Sequence, residues 1–189
     1  MSTNVSEETF KNADFSGHGL ATGNYDNCSF VGCTFSNANM SNSAFSECTF
    51  KSCNLSLATL KNTALRGVTF RECKLVGLHF ELCQPFLFSV DFEDCILNLS
   101  SFHKLRLKVT KFRNCSLHEV DFTESDLRGS IFDRCDLTKA TFEGTILEKV
   151  DFRTSYNYAL NPELNRIRKA RFSSAGIVGL LTKYDIEVD

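Results

Sequence analysis

Tryptophan is absent from this 189-residue chain, and proline and methionine occur twice each, so its aromatic character rests almost wholly on 18 phenylalanines. It also lacks a charge excess. Lys and Arg number 21 against 23 Asp and Glu, a net of −2, which excludes a broadly basic nucleic-acid-binding surface and equally an acidic tail. No run approaches the roughly 20 apolar residues that span a bilayer, which excludes a transmembrane helix. The opening residues, Met1-Ser2-Thr3-Asn4-Val5-Ser6-Glu7-Glu8, carry neither a basic n-region nor an apolar h-region, so no secretory signal is expected. Nine cysteines without such a signal point to reduced thiols and a cytoplasmic location, and an odd number cannot all pair within one chain. A glycine-rich phosphate loop, a nucleophile elbow and a pocketed carboxylate pair are all missing. The four histidines, His18, His79, His103 and His118, stand at no metal-ligand or catalytic spacing. The expectation is a single folded domain that is not an enzyme and has no cofactor, metal site or catalytic residue.

What is present is a period of five. Every fifth residue from Phe10 to Phe80 is apolar, and after a slip of two residues the pattern resumes from Leu87 to Phe152. All 29 such positions are apolar where 42% would be by composition, and they hold 15 of the 18 Phe. Neither the 3.6-residue helix nor the two-residue strand gives this period. It requires a chain that turns a corner every five residues and sends one large side chain inward per segment. Two positions earlier stand small residues, among them Cys28, Cys33, Ala38, Ser43, Cys48, Cys53 and Cys73. The remaining positions favour Ser, Thr, Asn, Asp, Lys, Arg and Gly, which suit turns and solvent.

This pattern resembles the pentapeptide-repeat family, with its motif A(D/N)LXX. The matches include Ala13-Asp14-Phe15-Ser16-Gly17, Cys33-Thr34-Phe35-Ser36-Asn37, Ser125-Asp126-Leu127-Arg128-Gly129 and Cys135-Asp136-Leu137-Thr138-Lys139. The resemblance implies an all-β solenoid, a right-handed quadrilateral β-helix with 20 residues per coil. With that registration the sequence divides into a lead-in (1–7), a first repeat block (8–81), a slip or bulge (82–86), a second block (87–158) and a C-terminal cap (159–189). Inward columns become Phe10, Phe30, Phe50, Phe70, Phe92, Phe112, Phe132, Phe152 on one side, and Leu65, Leu87, Leu107, Leu127, Leu147 on another. Coils stacked at the strand spacing give a rod roughly 36 Å long.

Cys33, Cys53, Cys73, Cys95, Cys115 and Cys135 fall in one interior column. Parallel side chains one rung apart do not reach the disulfide dihedral, nor can a straight ladder surround a zinc ion tetrahedrally. They read as small apolar fillers beside Phe and Leu. Lys104, Arg106, Lys108, Lys111 and Arg113 look basic in sequence, but the registration alternates Glu93, Arg113, Asp133 and Arg153 in one column and sets Lys104 beneath Glu124. That reads as a salt-laced, solvated face. Two outward groups are candidate partner surfaces: an acidic strip of Asp121, Glu124 and Glu143, and a mixed strip of Phe86, Phe88, Arg106, Lys108, Val109 and Arg128 beside the slip.

After Phe152 the period stops. Asn161-Pro162-Glu163 predicts a helix start running to about Lys169. Phe172 re-enters register, and Ser173 or Ser174 predicts a second helix over 175–183, followed by an extended tail with Ile186 and Val188. Ile177, Val178, Leu180, Leu181 and Ile186 are the candidate dimer interface, in a segment that also closes the open end of the solenoid. Repeats, slip and tail together resemble the topoisomerase-protecting branch of the family, the Qnr, MfpA and McbG proteins. That resemblance implies a homodimer that contacts DNA gyrase or topoisomerase IV and relieves poisoning by a quinolone or peptide toxin. It implies neither sequence-specific nucleic-acid binding nor a membrane partner. A duplex carries one charge per roughly 1.7 Å, so a 36 Å rod would need about 21 negative charges to imitate it. With a net of −2, local imitation falls to the Asp121 strip. A scaffold for an unrelated protein partner is the alternative.

Overall fold

Each five-residue side has a local cause. The Asp or Asn before the inward residue accepts a hydrogen bond from the backbone N–H two residues on, as Asp14 does from Ser16 (2.8 Å), Asp121 from Thr123 (2.8 Å) and Asp136 from Thr138 (3.1 Å). The corner residue then takes positive φ, recurring at five-residue steps through Asn37, Asn42, Glu47, Ser52, Leu57 and Asn62. A short extended segment and a left-handed corner, repeated four times, bring the chain back one rung higher.

The computed structural model of the protein describes residues 3–17, 19–184 and 186–187; the positions His18 and Val188 lie outside them. Strands are three or four residues long: β1 (Thr3–Ser6), β2 (Thr9–Lys11), β3 (Gly23–Asp26), β4 (Ser29–Val31), β5 (Ala44–Ser46), β6 (Thr49–Lys51), β7 (Ala64–Arg66), β8 (Val68–Arg71), β9 (Val90–Glu93), β10 (Lys111–Arg113) and β11 (Ile131–Asp133). All pair in parallel, in a four-stranded sheet β1-β3-β5-β7 and a seven-stranded sheet β2-β4-β6-β8-β9-β10-β11. The longer sheet counts six coil-to-coil steps. Isolated parallel bridges such as Asn54↔Lys74↔Ile96↔Ser116↔Asp136 complete the other two sides. The fold is a parallel all-β solenoid.

Its core is a pile of rings. Phe10, Phe30, Phe50, Phe70, Phe92, Phe112, Phe132, Phe152 and Phe172 stack with centroids 4.7–5.6 Å apart and planes within 19° of parallel. A second stack, Phe80, Phe102, Phe122 and Phe142, meets the first edge to face. All nine cysteines are buried and unpaired. Cys53, Cys73 and Cys135 each donate Sγ–H to the backbone carbonyl 23 residues back at 3.3 Å, and Ser155 continues the column with the same bond at 2.8 Å.

Three expectations are corrected. Leu87 does not point inward. It is 64% exposed with φ +58°, the corner geometry of Gly67 and Val109 one coil away. The two extra residues of the slip follow that corner, so Val68 pairs with Val90 while Phe88 and Cys83 fill the interior. Second, 161–169 is not a helix but another side of the solenoid. Asn161 accepts from Glu163 N–H (3.0 Å), Arg166 bridges Ile146, and Asn165 fills the small inward position, with Nδ2 donating to Phe142 O (2.7 Å) and Oδ1 accepting from Thr145 N–H (2.9 Å). Stacking on the preceding coil wins over a short helix. Third, 175–183 forms two 3₁₀ turns, Ala175–Leu180 and Thr182–Tyr184, in place of a helix. These turns lie on the last coil. Leu160 N–H donates to Gly179 O (3.0 Å), and a Cβ at Gly179 would collide with the Tyr158 carbonyl, so glycine is required there. No helix among the described residues is long and apolar enough to cross a membrane.

Candidate functional site

With the interior filled by side chains, partners meet the outward residues of the four sides. The third side, which follows the Phe80–Phe142 stack, carries the acidic strip. Asp121 bridges Ser101 and Thr141, and Glu124 N–H donates to Glu143 O (2.7 Å), so Asp121, Glu124 and Glu143 share one side on successive coils. Asp121 is half-buried. Burial works against its charge, yet hydrogen bonds from Thr123 and Thr141 and the nearby His103 ring hold its carboxyl below the usual range. Glu124 meets Lys104 at 3.5 Å, and Asp121 lies 3.9 Å from His103. Glu143 is exposed and has no ion-pair partner among the described residues. Glu163, one coil further, is held by Lys183. The strip is therefore real as geometry and partly neutralised as charge.

The mixed strip is spread more widely. Phe86 is 71% exposed, Val109 66%, and Arg106 and Lys108 are exposed, whereas Phe88 packs against the core. Arg128 is pinned to Asp126 through Nε (2.8 Å) and Nη2 (2.5 Å), with Lys108 at 3.5 Å from the same carboxylate. The alternating column makes other pairs than its register suggests: Glu93 meets Arg71 at 3.2 Å, and Arg153 folds onto Asp151 at 2.7 Å. Arg113 has no ion-pair partner among the described residues. Sequence reasoning missed Arg166, Arg168 and Lys169 as surface residues of the solenoid, because a helix start at Asn161 removed them from the 20-residue register that would have placed them.

At the C-terminal end Ile177 (50%), Val178 (42%) and Ile186 (56%) are exposed, while Leu180 turns in against the core and Leu181 is half-buried. A cleft of about 740 Å³ lies between these turns and the last coil, lined by Tyr156, Asn157, Tyr158, Gly176, Val178 and Thr182 among others. Its lining contains no carboxylate, imidazole, amine or thiol. The Tyr158 hydroxyl is buried there without a partner, and burial raises its pKa.

The backbone geometry has solved counterparts. A structure of QnrB1, a plasmid-mediated fluoroquinolone resistance protein, superposes with TM-score 0.62 at 18% identity, covering 100% of this chain and 98% of that one. HetL, a pentapeptide repeat protein involved in heterocyst differentiation regulation from the cyanobacterium Nostoc, superposes with TM-score 0.72 at 17% identity over 90% of this chain and 86% of its own. At these identities the likeness is one of fold. No curated protein matches the sequence. The family model for the pentapeptide repeat region matches residues 23–86 and 79–152, and the chain belongs to the pentapeptide-repeat family.

Proposed function

We propose that this protein acts by binding rather than chemistry, contacting a type II topoisomerase, DNA gyrase or topoisomerase IV, and protecting it from a poison such as a quinolone or peptide toxin. The observation that carries this reading is the superposition of the solenoid on a fluoroquinolone resistance protein over 100% of this chain and 98% of that one. A rod with a solid ring-stacked core offers surface, and the cleft under its C-terminal turns is lined by hydroxyl, amide and apolar groups without a carboxylate, imidazole, amine or thiol. Rod shape supplies the likeness to DNA, and the Asp121, Glu124 and Glu143 strip supplies local negative charge. The protein works as a homodimer joined through the C-terminal turns, in the cytoplasm, where nine unpaired thiols stay reduced.

The test is gyrase supercoiling and topoisomerase IV decatenation with a quinolone or a peptide poison, with and without the purified protein. Rescue is expected in at least one pairing, and Asp121→Lys, Glu124→Lys and Glu143→Lys together should abolish it. Failure to rescue either enzyme from either poison overturns the reading. A second reading, a scaffold for an unrelated protein, is favoured by the superposition on HetL, with TM-score 0.72 over 90% of this chain, and by the net charge of −2. Pull-down of a partner other than a topoisomerase, with no rescue, would establish it.

A further inference from the structure

The net charge of −2 hides a sorting of charge by side. The fourth side is built on β3, β5 and β7 below and on the bridges Arg106↔Asp126↔Ile146↔Arg166 above. Backbone bonds from Val109 N–H to Arg128 O (3.0 Å) and from Lys149 N–H to Arg168 O (3.0 Å) fix its corner. From Ala64 to Lys169 this side carries eight cations and two acids, Asp126 and Glu148; its lower coils add the acids Glu7, Asp26 and Glu47 and no cation, and the rest of the chain has thirteen cations and eighteen acids, so the excess of cations belongs to the upper coils of this side. Lys108 and Arg128 are engaged by Asp126. The other six, Arg66, Arg106, Lys149, Arg166, Arg168 and Lys169, have no ion-pair partner among the described residues, and all but the half-buried Arg66 are exposed. Four of these six crowd into the last two coils.

Coil-to-coil stacking turns these cations into a straight strip. From the Arg66 coil to the Arg166 coil there are five steps, roughly 24 Å at the strand spacing. A duplex presents about 14 phosphates over that length, evenly spaced. A long row of guanidinium and ammonium groups suits a linear polyanion better than a compact acidic patch, which needs no such length. Apart from the slip at Phe86 and Leu87, which carries no cation, this side presents short strands and corners, so the charged contacts fall on phosphates. We infer that the fourth side is a sequence-independent docking strip for the phosphate backbone of duplex DNA. The inference does not depend on topoisomerase binding, and its test contains no topoisomerase.

That test is fluorescence anisotropy of a labelled 20-base-pair duplex titrated with the full chain from about 50 to about 200 mM salt. Six phosphate contacts give a log–log salt slope near −5, a loss of about 10³-fold in affinity across that range. Replacing Arg166→Gln, Arg168→Gln and Lys169→Gln together should reduce the slope by about 2.7, since each contact contributes about 0.9. The control triple Lys11→Gln, Lys61→Gln and Lys74→Gln, on the other sides, should leave it unchanged. Circular dichroism checks that both triples remain folded, and Lys149→Gln alone gives a milder loss of the same kind. No binding at low salt, or equal losses in both triples, overturns the inference. Displacement of the duplex by polyglutamate at equal charge also overturns it, in favour of an acidic protein partner.

Discussion

At the residue scale, the corner sets the strain that the solenoid tolerates. Left-handed backbone suits glycine and asparagine, and Asn37, Asn42, Asn62 and Asn114 use it with φ between 50° and 61°. Val109 holds the same geometry, φ +62°, with a β-branched side chain that is 66% exposed and gains little from packing. Val109→Asn should therefore stabilise the protein by about 0.5–1 kcal/mol, measured by urea unfolding. Asp136 is a second residue whose role is local. Burial opposes its charge, but Thr138, Asn157 and His118 hydrogen-bond the carboxylate and hold its pKa down to about 2. A folded-state pKa below the unfolded one gives stability that is present above pH 4 and lost as pH falls toward 2. The contribution is about 1 kcal/mol after solvent screening. Asp136→Asn should flatten the stability profile between those limits, and an unchanged acid limb would refute the assignment.

At the scale of the element, each ring column is stabilised by its nearest rungs. Phe112 is fully buried, stacked 5.1 Å from Phe92 and 4.7 Å from Phe132, with Phe102 and Phe122 edge-on. Truncation leaves a void that rigid backbone on four sides cannot close. Phe112→Ala is expected to cost about 3–5 kcal/mol, and Phe112→Leu much less. Phe10, only half-buried at the open end, should lose less on the same truncation, and thermal denaturation of both variants checks the gradient. These columns were legible from the five-residue period, since an inward residue needs only the right phase. Leu87 shows the limit. The period locates a two-residue slip but not the point within it where the extra residues enter, and the left-handed corner at Leu87 settles that. Long charged side chains are less legible still. Register places Arg153 beside Asp133, yet a bidentate contact with Asp151 two residues away needs less reach and wins. Asn161-Pro162-Glu163 satisfies a helix start and a repeat turn equally well, and the decision comes from Phe142 and Thr145 on the coil below, whose backbone groups Asn165 satisfies.

For the whole molecule, the asymmetry of its two ends decides assembly. The last coil is held to the C-terminal turns by Leu180, by Gly179 against Tyr158, and by Lys183 and Tyr184 on Glu163, so the exposed sheet end is covered from within the chain. Outward on these turns stand Ile177, Val178 and Ile186, with Leu164 (55%) and Tyr184 (51%) beside them, among the exposed polar residues Ser174, Thr182, Lys183 and Glu187. A stable two-fold interface buries roughly 1,200 Å² or more, and a patch of this extent meets that requirement only if the turns of both copies pack together. Sedimentation equilibrium at micromolar concentration should therefore give twice the chain mass of 21.3 kDa. Ile177→Lys with Val178→Lys should return the monomer with its fold intact, because both side chains are exposed, Ile177 at 50% and Val178 at 42%. Leu180→Ala acts differently, loosening the turns from the core and lowering thermal stability before it changes mass. A wild-type protein that sediments as a monomer throughout this range would reject the dimer and leave the apolar turns to a different partner.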